Sequence, residues 1–155
     1  MLCACCCTSH TSDITCSGSA WEYDEQTDEY YLHLFLKGQP DLNWDHPPVR
    51  DAVCDVMRFW LDRGCDGFRI DAINFISKSP GLPDDESVNR WNMLGLEHYA
   101  NGPRLHEYLK VIGGVLREYD AFSVGEMGHL TDLDETLKSV GADRGELAMV
   151  LHFEM

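Results

Sequence analysis

Basic residues are scarce in this chain: 12 Lys and Arg stand against 27 Asp and Glu, a formal net charge of −15. Such a surface repels phosphate backbones and anionic headgroups, so neither nucleic acid nor a membrane is an expected partner. Long apolar runs are missing as well. No stretch approaches the roughly 20 residues that span a bilayer, and the N-terminus has no basic region leading into an apolar core of signal-peptide kind. A cytoplasmic chain is the expectation. Cysteine is not scarce, with 7 residues, but Cys3, Cys5, Cys6 and Cys7 crowd into "MLCACCC". Tetrahedral zinc sites draw cysteine pairs separated by two to four residues, so this spacing does not suit one. N-terminal cysteines can be acylated; the simpler reading is a reduced tail, with Cys54 and Cys65 as small core residues. No metal and no cofactor is expected.

What is present suits a folded α/β chain. At 155 residues and 44% hydrophobic, the sequence can form one compact domain or part of a larger one. Residues 1–17 have no apolar period and read as a tail. In 18–46, two aromatic segments flank "DEQTD", and Tyr31, His33 and Phe35 alternate with Tyr30, Leu32 and Leu34, as in a β-hairpin. "KGQPDLNWDHPP" then breaks the sheet. From 47 onward, helix and strand patterns alternate. Val49, Val53, Val56, Met57 and Trp60 recur at helical spacing between the prolines and Gly64, which predicts a helix with Trp60 in its core face. A strand is predicted over 66–71, and a helix from Leu105, Leu109, Ile112, Leu116 and Tyr119. A strand over 121–126, a short helix in "TDLDETLKSVG" that Thr131 or Asp132 could cap, and a strand over 147–153 complete the pattern. This βα alternation is that of a parallel sheet, whose two faces both need cover.

Within "GCDGFRIDAINFISK", residues 64–78, an arginine and an aspartate interrupt an apolar run. Strand side chains alternate, so Arg69 and Asp71 share one face while Phe68 and Ile70 share the other. A guanidinium beside a carboxylate favours its ionised form, which leaves Asp71 an anion at the C-terminal end of a parallel strand, where α/β folds bind ligands. The next strand repeats the arrangement. Phe122, Val124 and Glu126 share a face, and Gly125 allows close approach of the backbone. Two carboxylates on one rim suit acid/base or nucleophile/acid chemistry. Spacing alone leaves a structural ion pair equally open.

"DGFRIDAINFISK" resembles the fourth-strand motif of the alpha-amylase superfamily, glycoside hydrolase family 13, and "SVGEM" resembles its fifth-strand motif. "QPDLN" is similar to the short motif marking that family's alpha-glucosidase and oligo-1,6-glucosidase branch. "GSAWEYDEQTDEYYLHLF", "SKSPGLPD" and "ELAMVLHFEM" are similar to maltase-type enzymes. The resemblance implies strands four to six of a (β/α)8 barrel, not closed, preceded by the end of a small inserted β-containing domain. It implies a retaining alpha-glucosidase acting on short alpha-glucosides such as maltose or isomaltose. Asp71 would be the nucleophile, Glu126 the acid/base, and Arg69 the group that orients Asp71 and keeps it ionised. Asn74 and Phe75 stand where many amylases carry Lys and His, which favours a pocket for short oligosaccharides and makes Phe75 a candidate substrate-binding residue. Ala72, directly after the nucleophile, leaves α-1,4 against α-1,6 preference undecided.

His129 could reach a sugar hydroxyl, although a loop histidine is the simpler reading. Trp21, Trp44 and Trp91 could stack on sugar rings. Asp84, Asp85 and Glu86 read as a solvated charge run. The third-strand and seventh-strand motifs of the family are absent, so the chain resembles the middle third of such an enzyme. Two other readings stay open: an inactive truncated product, and a non-catalytic relative such as the heavy subunit of amino-acid transporters.

Overall fold

The computed structural model describes residues 19–83, 96–128 and 133–153. A hairpin comes first, β1 (Trp21–Asp24) pairing antiparallel with β2 (Glu29–Leu32) so that Trp21 opposes Leu32 and Asp24 opposes Glu29. The predicted alternation through Phe35 stops at Leu32. Leu32, His33 and Leu34 are all buried, because the chain leaves the ladder here: the Leu34 amide donates to Asp41 Oδ2 at 3.0 Å instead of to a strand.

Helix α1 (Pro47–Leu61) starts on a proline, whose fixed φ and missing N–H cost nothing in the first turn. It ends before Gly64, which adopts φ +90°, a conformation that glycine takes without strain. Strand β3 (Gly67–Ile70) leads into a 3-10 turn at Ile73–Phe75. After the short helix α2 (Leu96–Tyr99), α3 (Leu105–Glu118) buries Leu105, Tyr108, Leu109, Ile112, Val115 and Leu116. Strand β4 (Phe122–Gly128), helix α4 (Leu133–Val140) and strand β5 (Met149–Phe153) follow. The capping residues predicted for α4, Thr131 and Asp132, lie outside the described residues.

Strands β3, β4 and β5 form one parallel sheet in that order. Its register sets Arg69 beside Val124, Val124 beside Met149, and Glu126 beside Leu151. One face carries Phe68, Ile70 and Val150, packed on a core that includes Met57 and Leu61 of α1 and Leu109 and Ile112 of α3. Arg69, Phe122, Met149 and Leu151 belong to the other face, where Phe122, Met149 and Leu151 are exposed. That face has no covering layer among the described residues. The α/β alternation and the parallel sheet are as expected, and the three strands stay open rather than closing into a barrel.

Two core assignments need correction. Trp60 is 49% exposed rather than buried, while Cys54, Met57 and Leu61 make the inward stripe of α1. Successive helix positions turn by about 100°, so Trp60 sits a full step around from Leu61 at the stripe's edge. There it stacks edge-on with Phe59, ring centroids 5.3 Å apart. Cys54 is buried as expected, but Cys65 is exposed, because it lies in the turn between α1 and β3 rather than in the strand.

Candidate active site

The neighbours of Arg69 and Asp71 looked apolar in sequence because Phe68 and Ile70 face the helices; the charged pair faces away from them. Asp71 directly follows the last residue of β3. Ile70 registers with Gly125, so the next pair along the two strands is Asp71 and Glu126. Arg69 lies between them. Its Nη1 is 2.8 Å from Asp71 Oδ1, and its Nη2 donates to Glu126 Oε2. The three side chains differ in exposure: 76% for Asp71, 51% for Arg69 and 21% for Glu126.

The two carboxyls also bond to one another, and they are displaced in opposite directions. A hydrogen bond from Glu126 is the main cause holding Asp71 below its ordinary value, helped by the Arg69 charge and opposed by burial. The same bond, with burial, is what raises Glu126 above its ordinary value, against the pull of Arg69. Asp71 therefore ionises more readily than Glu126. Two carboxyls this close cannot both ionise easily, so the pair titrates as a unit in which Asp71 gives up its proton first.

Local backbone places the nucleophile candidate at the tip of its strand. Ala72 adopts φ 42° and ψ 40°, a left-handed conformation that costs an alanine about 1 kcal/mol or more. The chain thereby turns back under the sheet, and the Ala72 backbone supports both carboxylates by hydrogen bonding. Gly125 is closely packed, and a side chain there would push the Leu147 side chain aside. A Cβ there would lie 2.6 Å from Leu147 Cδ1 and 3.1 Å from Ile73 Cγ2.

Phe75 is buried and meets Phe35 edge-on, with centroids 5.7 Å apart. Together with Ala72, Trp44 and Pro40 these two rings line a cavity of about 200 Å³ beside the nucleophile candidate. Trp44, a candidate for sugar stacking, is only 7% exposed and packs on the Tyr108 ring. It is core. Trp21 is half-buried on the hairpin. His129, Trp91, Asp84, Asp85 and Glu86 lie outside the described residues. Among the described residues no three His, Cys, Asp or Glu side chains gather in a metal-binding arrangement.

Sequence reasoning missed the physical work of "QPDLN". Asp41 accepts from Lys78 Nζ at 2.7 Å and from the Leu34 amide at 3.0 Å, and Lys78 also donates to the Phe75 carbonyl at 2.7 Å. The motif clamps the segment after the hairpin to the segment after β3. An acidic residue followed 37 positions later by a lone lysine carried no signal of this.

The chain matches the model of the alpha-amylase catalytic domain over residues 11–155. It belongs to the alpha-amylase family. An alpha-glucosidase of Schizosaccharomyces pombe is 59% identical over 138 residues, covering 88% of this chain and 24% of that protein. An oligo-1,6-glucosidase of Bacillus cereus is 53% identical over 139 residues, covering 89% of this chain and 25% of that protein. Among solved structures, the trehalose-6-phosphate hydrolase of Bacillus licheniformis superposes with a TM-score of 0.83 at 38% identity, over 92% of this chain and 25% of that one. The chain thus spans about a quarter of the length of these alpha-amylase family relatives, rather than the third anticipated from its motifs.

Proposed function

We propose that this chain supplies the catalytic carboxylate pair of a retaining alpha-glucosidase acting on short alpha-glucosides. The observation that carries the proposal is two carboxyls at one rim of neighbouring strands, both held by Arg69, and their opposite displacement agrees with a nucleophile beside an acid. Relatives bearing the names alpha-glucosidase and oligo-1,6-glucosidase support it.

In the first step a sugar enters between the carboxyls and breaks their hydrogen bond. Asp71 attacks the anomeric carbon as Glu126 gives its proton to the departing oxygen. In the second step Glu126, now ionised, takes a proton from water, which attacks the glucosyl–Asp71 ester and releases glucose with its configuration retained. Arg69 holds Asp71 ionised in the free site and balances charge as the ester forms and breaks. Phe75 contributes through the cavity wall it builds beside Ala72. The catalytic carboxyls of retaining enzymes stand about 5 Å apart, so substrate entry must widen the hydrogen-bonded pair.

The test uses a complete barrel carrying this segment. Asp71→Ala should abolish turnover, and a small anion entering the vacated space should restore cleavage of an activated aryl alpha-glucoside. Attack from the aspartate's side gives a β-linked adduct. An α-linked adduct, or none with any anion tried, removes Asp71 from the nucleophile's role.

A further inference from the structure

Asn74 is fully buried, three residues after Asp71, in the 3-10 turn that the left-handed Ala72 folds back under the sheet. Its Nδ2 donates to the Gly128 carbonyl at 2.9 Å, and its backbone carbonyl accepts from the Asn101 backbone N–H at 2.8 Å. Gly128 closes β4, two residues beyond Glu126. The amide therefore ties the turn after the nucleophile to the strand end that carries the acid. Beside it, the Ile73 side chain lies against Gly125, next to Glu126 on the same strand. We infer that Asn74 is a positioning residue that sets the separation of Asp71 and Glu126, by fixing the turn after β3 to the rim of β4.

Chemistry favours asparagine for this task. The ladder between β3 and β4 ends at Ile70 and Gly125, one position before the two carboxyls, so although Glu126 still pairs with Leu151 of β5, Asp71 and Glu126 are joined to each other only through Arg69 and their own hydrogen bond. A short, uncharged donor can reach a carbonyl across the rim without adding a charge to a site that depends on one. The orientation of the amide is determined as well: a flipped group would set Oδ1 against the Gly128 oxygen, two acceptors facing each other. Oδ1 accepts no hydrogen bond among the described residues. An apolar side chain of equal size would be easier to bury, so the amide is there for the bond it donates.

This inference rests on the proposed carboxylate pair, and the test separates the two. In the 155-residue chain, the carboxyl carbons of Asp71 and Glu126 are titrated by NMR in three forms. These are the unaltered chain, Asn74→Leu, which keeps the branched heavy-atom shape and removes the donor, and Ser77→Ala. Ser77 is equally buried and sits in the same segment, but its Oγ serves the Arg104 amide at 3.0 Å rather than β4. The unaltered chain should show two midpoints well apart. Asn74→Leu should cut that separation by more than half, while Ser77→Ala leaves it intact. Asn74→Ser, too short to reach Gly128, should act as Asn74→Leu does. An Asn74→Leu chain that keeps the full separation overturns the positioning role. Equal collapse in Ser77→Ala, or failure of both Asn74 variants to fold, also overturns it by making Asn74 merely structural. Carboxyls that titrate together in the unaltered chain would overturn the proposed pair itself, and this inference with it.

Discussion

Arg69 and Arg104 each stand between two carboxylates, and only one of these two groups is suited to chemistry. Arg104 is 2.6 Å from Asp45 through Nη1, and it grips Glu107 with Nε and Nη2 at 2.8 and 2.6 Å. Its guanidinium lies over the Tyr108 ring, 4.9 Å from the centroid, and the Tyr108 hydroxyl donates to Asp45 at 2.5 Å. Both acids move the same way. The Tyr108 hydrogen bond is the main cause lowering Asp45, against burial, and Arg104 lowers Glu107. Burial first, then the bond to Asp45, pushes the Tyr108 phenol up to about 12. Around Arg69 the acids part instead, Asp71 down and Glu126 up. The difference lies in what the carboxylates meet. Asp45 and Glu107 meet donors alone; Asp71 and Glu126 share the Arg69 donor but also meet each other, which pushes their ionisation apart.

The strongest way to break this comparison is to remove an acid from each group in a complete barrel. Glu126→Gln should cut turnover of substrates with poor leaving groups by about 10²–10⁴-fold, with activated aryl glucosides losing far less in the first step. Glu107→Gln should leave turnover within measurement error. Equal losses from both would erase the distinction between the two groups.

A smaller effect sharpens the structural side. Tyr108→Phe deletes a hydrogen bond from a fully buried ring to Asp45, and urea unfolding should register a loss of about 1 kcal/mol. Activity in a complete barrel should not follow it down.

Acid titration separates the groups by sign. Asp45 is depressed in the folded chain, so its contribution is present above the unfolded carboxylate value of about 4 and is lost as pH falls through its folded value. The stability gap between the unaltered chain and Asp45→Asn should therefore shrink from pH 6 toward pH 3. Glu126 is raised, so its contribution is present below the unfolded value and is lost as pH rises through the folded one. The gap to Glu126→Gln should move in the opposite sense over that range. A gap that moves the same way for both would contradict the opposite displacements.

The smallest expected effect comes from a third arginine. Arg58 bonds Glu118 at 3.0 and 3.1 Å, joining α1 to α3, but both side chains are well exposed. Solvent screens such a pair, so Arg58→Ala should leave the thermal midpoint unchanged. A clear drop would show that exposure is a poor guide to which ionic groups hold this fold.

Local pattern was enough for much of the architecture. The 3.6-residue period of Leu105, Leu109, Ile112 and Leu116 marks α3, and all four are buried. Alternation around Arg69 and Asp71 assigned their face, and the turn chemistry around "DEQTD" located the hairpin. Strand limits moved by one or two residues, with β4 running on to Gly128 and β5 starting at Met149. Trp60 was misassigned because an apolar stripe wider than its contact surface has edges, and sequence does not say where they fall. The fate of Trp44 was equally hidden, since a tryptophan between turn formers gives no sign of a Tyr108 ring 64 positions away.

Residue order by itself determined the parallel βαβ alternation, the shared face of Arg69 with Asp71, and the choice of Asp71 and Glu126 as the pair to watch. These follow from period and spacing, which are properties of neighbours along the chain. Only the tertiary structure decided which carboxyl ionises more readily, what Asp41 is for, and that Asn74 reaches Gly128. Each depends on atoms brought together from 37 to 55 positions apart, and hydrogen bonds of that reach are set by strand register and a left-handed turn at Ala72, not by any local pattern.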